Sequence, residues 1–256
     1  MVHFVGAGSG AADLITVRGA RLLEQADVII YAGSLVNPEL LSYASDTAQI
    51  YNSAEMTLEE VIAVIRKAEE DGKTTVRLHT GDSSIYGAVQ EQFDILDSLG
   101  IEYDVCPGVS SFCGAAASLK AEYTLPDISQ TVIISRTSGK TQVPERESIQ
   151  SLAAHKATMI LFLSTGLVEK LQKELLEGGL SEDTPAAIVY KATWPDEQIY
   201  RCKVGTLAQT AKDNRIRKTA LIIVGDFLEC GSAGREYQRS RLYAPDYSTE
   251  FRSAKE

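Results

Sequence analysis

Apolar residues fall along this chain in short runs broken by glycine, proline and charge, and the period of the runs changes from strand-like to helix-like and back. Residues 2–5 form an apolar run that stops at Gly6-Ala7-Gly8-Ser9-Gly10, the pattern of a buried strand entering a glycine loop. Residues 16–25 predict a helix weakened by Gly19, and residues 28–31, rich in β-branched and aromatic side chains, a second strand. Thr57-Leu58-Glu59-Glu60 has the spacing of a capping box. The helix behind it places Val61, Ile62 and Ile65 on one face and ends near Gly72. A strand follows at 74–79, a loop at 81–87, a helix running to Leu99 with Gly100 as its stop, and a strand at 102–106 closed by Pro107-Gly108. Such alternation predicts a mostly parallel sheet covered by helices.

The small apolar residues 109–119 predict a tightly packed helix, and 121–127 an irregular stretch. A second set of strands is expected at 131–136, 158–163, 186–191, 198–204 and 220–224, with a helix at 167–176 and a polar, turn-rich stretch at 140–144. The short connection Ala192-Thr193-Trp194-Pro195-Asp196-Glu197 between two strand-like runs predicts a hairpin, so this sheet is expected to be mixed. The pattern therefore predicts two α/β domains, at 1–113 and 129–230, joined by a linker region at 114–128. The polar, basic-rich residues 231–256 read as an extended tail.

Composition narrows the function. At 256 residues, 44% hydrophobic and 23% charged, the chain has ordinary globular values and can bury a full core. A net charge of −10 argues against a nucleic-acid partner, yet a local Arg and Lys cluster can still receive a small anion. No apolar run is long enough for a membrane helix, and the apolar start lacks the basic flank of a signal peptide, so a cytoplasmic protein with no membrane partner is expected. Cys106, Cys113, Cys202 and Cys230 form no C-x-x-C pair and read as buried free thiols. With three dispersed histidines, no metal-ligand spacing exists and no metal is expected. His3 reads as a hydrogen-bonded core residue, His155 as solvent-facing, and His79, at a strand end, as a possible site residue.

Gly6-x-Gly8-x-x-Ala11 after a strand matches the dinucleotide pattern G-x-G-x-x-G/A. The acid that holds the ribose is missing, because the second strand ends at Tyr31-Ala32-Gly33 with Asp27 ahead of it. A nicotinamide site is disfavoured, while a tight turn without ligand stays open. Three further segments change this. His79-Thr80-Gly81-Asp82-Ser83-Ser84-Ile85-Tyr86-Gly87 follows a strand and opens a helix. Val105-Cys106-Pro107-Gly108-Val109-Ser110-Ser111-Phe112 joins a rigid turn to two hydroxyls at a helix start. Val189-Tyr190-Lys191-Ala192-Thr193-Trp194-Pro195-Asp196-Glu197 supplies another strand end. In a mostly parallel sheet, strand-end loops line the ligand crevice.

In this order and spacing the segments resemble the tetrapyrrole methylases, which use S-adenosylmethionine. The resemblance runs from the glycine loop to Ser240-Arg241-Leu242-Tyr243. Thr80-Gly81-Asp82, Tyr190-Lys191-Ala192-Thr193-Trp194-Pro195 and Ile216-Arg217-Lys218-Thr219-Ala220-Leu221 look like the members that methylate carbon 11 of (cobalt-)precorrin-4 in cobalamin synthesis. Two positions depart: the family usually has proline where Ser9 stands, and often where Ser83 stands.

The resemblance implies two α/β domains with a cleft between them, a homodimer, and S-adenosylmethionine as cofactor, leaving as S-adenosylhomocysteine. It implies cofactor contacts at Gly8, Ser9, Thr80, Gly81, Asp82, Ile85, Tyr86, Ser110, Ser111, Leu163, Ser164, Ala192, Thr219 and Ala220. The reaction implied is in-line methyl transfer from sulfur to carbon, in which positioning supplies most of the rate. Asp82 is the candidate catalytic base, with loop capping as its alternative role. Arg18, Arg77, Arg136, Lys191, Arg217 and Lys218 are candidates for the substrate carboxylates, and Tyr31, Ser34, Glu55 and Met56 for the macrocycle trough. Methylation at another tetrapyrrole position and a non-catalytic nucleotide-binding protein remain alternatives.

Overall fold

A computed structural model describes residues 1–231 and 234–254. Internal contacts divide the chain into two units, one of Met1–Ser118 with Lys191–Glu197 and one of Leu119–Tyr190 with Gln198–Glu256.

The first unit holds strands β1 (Val2–Gly6), β2 (Val28–Tyr31), β3 (Gln49–Asn52), β4 (Thr75–His79) and β5 (Tyr103–Cys106) in the order β3-β2-β4-β1-β5. Every pairing is parallel. Its helices are α1 (Val17–Gln25), α2 (Leu58–Glu70), α3 (Gln90–Leu99) and α4 (Ser111–Leu119). Successive strand side chains point to opposite faces. Val5, Ile29, Val76 and Leu78 therefore join Leu23 of α1 in one buried cluster, while Val2, Phe4, Val28 and Ile30 join Val61, Ile62, Ile65 and Leu96 of α2 and α3 in another. Burying each such side chain stabilises by about 1.5–3 kcal/mol. The capping box forms as the spacing predicts: Glu60 N–H donates to Thr57 Oγ1 at 3.3 Å and Thr57 N–H to Glu60 Oε2 at 2.7 Å. Gly100, at φ +67°, ends α3 in the left-handed conformation that glycine adopts without penalty.

The strand order places the site. β1 runs through α1 to β2, beyond β4, whereas β4 runs through α3 to β5, beyond β1. The adjacent strands β1 and β4 thus send their exit loops in opposite directions, the switch point at which open parallel sheets form their ligand crevice.

The second unit holds β6 (Val132–Arg136), β7 (Thr158–Phe162), β8 (Pro185–Tyr190), β9 (Gln198–Lys203) and β10 (Ala220–Val224) in the order β6-β7-β10-β8-β9. β6 and β7 are parallel and the other pairings antiparallel, so this sheet is mixed. Helices α5 (Ile149–Ala153), α6 (Val168–Glu177) and α7 (Leu207–Asp213) cover Met159, Leu161, Ile188, Ile222 and Val224 with Leu171, Leu175, Leu207 and Ala211.

Several expectations need correction. Strand β3 and helices α5 and α7 carry no pattern that marked them: β3 exposes Gln49 and Ile50, and α5 is five residues long. Residues 111–119 are one helix, so a linker cannot begin at 114; the two units part between Ser118 and Leu119. Residues 191–197, expected as a connection within the second domain, pack with the first unit. The tail is not extended throughout its described part. Arg252 Nη2 donates to the carbonyls of Leu242 (2.9 Å), Ala244 (2.7 Å) and Tyr247 (3.2 Å), folding 242–252 back on itself. Residues 232–233 and 255–256 of that expected tail lie outside the described residues. All four cysteines are free, but only Cys106 is buried and Cys113 is exposed, because α4 turns that face outward. His3 Nδ1 meets Asp104 Oδ1 at 2.6 Å, and His155 is exposed. Among the described residues no helix is long and apolar enough to cross a membrane.

Candidate functional site

Three strand ends of the first unit converge on glycines. The exit loops of β1 and β4 are joined by a two-residue bridge: Gly8 N–H donates to Gly81 O at 3.2 Å and Gly81 N–H to Gly8 O at 3.0 Å. Beneath it, Ala7 N–H donates to His79 O at 2.7 Å. The β5 exit packs against both, since a Cβ on Gly108 would lie 2.2 Å from Gly81 O and 2.7 Å from Gly6 Cα. No side chain fits there, which is why the loops can lie backbone against backbone. Gly8 and Gly81 also have φ of +82° and +61°, a conformation costly to other residues.

Asp82 fastens this junction. Its Oδ2 accepts from Gly108 N–H at 2.8 Å, and its Oδ1 accepts from Ser84 N–H at 2.9 Å and from the Ser84 hydroxyl. Partial burial pushes the carboxyl up, but the bonds from the Ser84 hydroxyl, Gly108 and Ser84 N–H outweigh it and hold Asp82 below the usual carboxylate range. Both oxygens are engaged by donors that favour the ionised form.

The neighbouring segments complete the group. Gly81 lies against the start of α4, where Ser110 O accepts from Cys113 and Gly114 N–H, and a Cβ on Gly81 would approach Ser110 Cα and Ser111 N at 3.5 Å. Ile85 N–H donates to Asp82 O at 3.3 Å, and Tyr86 follows at φ +55°, 45% exposed. Ser9 Oγ meets Thr193 Oγ1 at 3.0 Å, and Gly10 faces the Ala192 carbonyl and the Trp194 ring. The first unit therefore brings together Gly8, Ser9, Thr80, Gly81, Asp82, Ile85, Tyr86, Ser110, Ser111 and Ala192, residues drawn from four separate stretches of sequence.

The remaining four candidates gather at one end of the second sheet. The register pairs Ala220 with Tyr190 and Ile222 with Leu161, so the chain just past β7 and the start of β10 share that end. Thr165 Oγ1 donates to Ala220 O at 3.1 Å, and Ser164 Oγ accepts from Thr137 N–H at 2.8 Å. Leu163 (φ +51°) is 67% exposed, and Thr219 has φ +57°. Left-handed non-glycine residues cost about 1–3 kcal/mol each and concentrate where geometry serves a ligand.

Several basic candidates are occupied. Arg77 is 6% exposed; its Nη1 donates to Ile30 O at 3.0 Å and its Nε to Gln92 Oε1 at 3.2 Å. It faces the α2–α3 layer because β4 alternates, so it is a structural cation and not a substrate ligand, and burial lowers it to about 10. Arg136 donates to Thr141 O and Gln142 O, and Lys191 pairs with Asp196 at 2.6 Å beside the Trp194 ring. Arg18, Arg217, Lys218, Ser34 and Glu55 are exposed, and Tyr31 and Met56 half-buried. His79 is buried and stacked on Phe4, and burial together with Arg77 lowers it to about 3, so the imidazole is neutral. Sequence reasoning gave no role to Thr193, Glu197 or Ser118, because the partners that define one, Ser9 for Thr193 and Glu197 for Ser118, are brought to them by packing.

The group fits a methyl donor with a cationic sulfur and hydroxyl-bearing ends. Thr80 Oγ1 is buried with no partner in the protein, a hydroxyl left for a ligand or water. Such a hydroxyl, donor and acceptor at once, suits a carboxylate or a ribose.

A family model, Tetrapyrrole (Corrin/Porphyrin) Methylases, matches residues 1–208. The chain belongs to the tetrapyrrole methylases. Among curated members of this family it is 51% identical to the cobalt-precorrin-4 C(11)-methyltransferase of Methanocaldococcus jannaschii, over 99% of this chain and 96% of that one. It is 45% identical to the enzyme of the same name from Priestia megaterium, over 98% and 97%. The X-ray structure of a cobalt precorrin-4 methyltransferase superposes with a TM-score of 0.87 at 46% identity, covering 90% of this chain and 96% of that one. The glycine junction and Asp82 fastening are thus features of a tetrapyrrole methylase.

Proposed function

We propose that this tetrapyrrole methylase transfers a methyl group from S-adenosylmethionine to carbon 11 of cobalt-precorrin-4. What carries the reading is identity spread over nearly the whole chain, 51% across 253 residues, with a protein named for that reaction. Relatives named for precorrin-4 without cobalt are 40–42% identical, which favours the cobalt-carrying substrate.

S-adenosylmethionine, when bound, supplies an electrophilic methyl group on a sulfonium sulfur. The chain's part is to hold and orient. Gly8 and Gly81 bring backbone close to the ligand without a side chain between them. Thr80 offers its spare hydroxyl, and Ser110 and Ser111 offer theirs at the head of α4. Asp82 ties the β4 exit loop to the β5 exit loop and is a fastening, not a base: a base works best with a pKa near the working pH, and the bonds to Ser84 and Gly108 hold Asp82 below the usual carboxylate range. Holding the reacting groups in line can be worth about 7–11 kcal/mol, so no nucleophile from the protein is required. A homodimer is part of this reading, with light scattering of the purified chain as its check.

Incubation with cobalt-precorrin-4 and methyl-labelled S-adenosylmethionine tests it. One label at carbon 11 by mass spectrometry and NMR is expected. A label at another carbon would overturn the substrate assignment, and no binding of S-adenosylhomocysteine by calorimetry would overturn the enzyme reading itself.

A further inference from the structure

We infer that Glu197 is a positioning residue, whose carboxylate latches the 191–197 segment to the Ser9 loop and to α4 and thereby sets where Ala192 stands; this rests on the methyl-donor reading above. The segment enters under strain. Lys191 and Thr193 have φ of +48° and +67°, and a β-branched residue rarely adopts such a backbone. Ala192, 6% exposed, lies between them. Strain of this kind persists only where the surroundings over-determine it.

Glu197 supplies that constraint. One oxygen, Oε2, accepts from Thr193 N–H at 2.5 Å and from the Ser118 hydroxyl of α4. With its backbone held, Thr193 presents Oγ1 to Ala11 N–H at 3.1 Å and to Ser9 Oγ at 3.0 Å. The carboxylate therefore reaches the glycine loop through one threonine, across more than 180 residues of sequence. Two glycines clear the way. A Cβ on Gly114 would lie 2.6 Å from Ser9 Cβ and 3.2 Å from Thr193 Cγ2, and a Cβ on Gly10 would lie 2.2 Å from Trp194 Cδ1 and 2.6 Å from Ala192 O. Glu197 touches no reacting atom. Its effect is to place Ser9 and Ala192 before the ligand arrives, which is preorganisation and is read out in binding.

The test compares Glu197→Ala and Glu197→Gln in the full chain by amide hydrogen exchange, calorimetry with S-adenosylhomocysteine, and methyl-transfer kinetics. In Glu197→Ala the amides of Ala11 and Thr193 should exchange about tenfold faster, and the Kd for S-adenosylhomocysteine and the KM for S-adenosylmethionine should rise about tenfold, with kcat within about threefold of wild type. Glu197→Gln keeps an oxygen that accepts both bonds and should recover most of each loss. Wild-type exchange at Ala11 in Glu197→Ala would overturn the inference, as would equal impairment of both variants or a loss confined to kcat. Should Glu197→Ala not fold, Ser118→Ala removes one donor alone and should show the same pattern at about threefold; wild-type behaviour there would overturn it equally. Failure of the wild-type chain to bind S-adenosylhomocysteine would defeat the methyl-donor reading, and the exchange of Ala11 would still judge the latch.

Discussion

Gly8 and Gly81 exchange both of their backbone hydrogen bonds, at 3.2 and 3.0 Å, so the exit loops of β1 and β4 are stitched together where the parallel sheet changes direction. A pair of this kind has no side chain to adapt. Whatever perturbs it perturbs the strand ends directly, and the consequences can be measured.

Gly108→Ala should separate the loops. Its Cβ would meet Gly81 O at 2.2 Å, closer than any real contact, and the obstruction is backbone. A loss of about 1–3 kcal/mol or more in urea unfolding is expected, with S-adenosylhomocysteine binding abolished. Gly72→Ala is the control: it has φ +66° but nothing within 4 Å, so it should cost about 1 kcal/mol from backbone alone and leave binding intact.

Asp82→Asn distinguishes a fastening from a base. Loss of a proton acceptor in catalysis lowers kcat by about 10²–10⁴; loss of a fastening raises KM and lowers stability. We expect kcat within about tenfold and a stability deficit of about 1 kcal/mol at pH 7, reduced from the buried value because the carboxylate is partly solvated. The pH dependence has a defined sign. The folded-state pKa lies below 3.8, so the contribution is complete above that value and is lost as pH falls through the lower, folded one. The gap between wild type and Asp82→Asn in urea titrations should therefore be flat from pH 7 to about 5 and close below about pH 4.

His79 predicts an acid limb of stability. Burial and the nearby Arg77 cation lower it from 6.5 to about 3, so the unfolded chain binds a proton that the folded chain refuses. Stability is fully present above pH 6.5 and falls as pH drops toward 3. The slope from this one group is about 1.4 kcal/mol per pH unit. In His79→Phe, which keeps a ring against Phe4, urea unfolding between pH 4.5 and 7 should lose that slope; an unchanged slope would show that His79 titrates normally.

Arg77→Met tests the reassignment of a charge. Removing the guanidinium leaves Ile30 O and Gln92 Oε1 without their donor, at a cost of about 1–3 kcal/mol. The KM for the tetrapyrrole should stay within about twofold, because the side chain faces the helix layer. A tenfold rise in that KM with stability unchanged would return Arg77 to the substrate.

Much of the fold was legible because its signals are local. Residues 28–31 and 220–224 were expected as strands and are β2 and β10 with those bounds. The Thr57 capping box and the Gly100 stop need only four and one residues of context, and both form. β3 was not legible, because an edge strand that exposes Gln49 and Ile50 shows no alternation. Among site residues, the glycines of the exit loops stood out since no other residue type serves there. Arg77 misled for the opposite reason: a strand arginine looks the same in sequence whether water, a carboxylate or Gln92 awaits it.

By itself the sequence determined which stretches become strands and helices, the alternation that makes the first sheet parallel and the second mixed, and the glycine loops at the strand ends. Tertiary structure decided which polar groups find each other. Gly8 meets Gly81, Asp82 meets Gly108, and Thr193 meets Ser9 and Glu197. The long-range members of these pairings follow from the order β3-β2-β4-β1-β5 and from the packing of 191–197 into the first unit. Periodicity and capping act over a few residues, whereas partners 26 to 184 positions apart are chosen only once strands have neighbours.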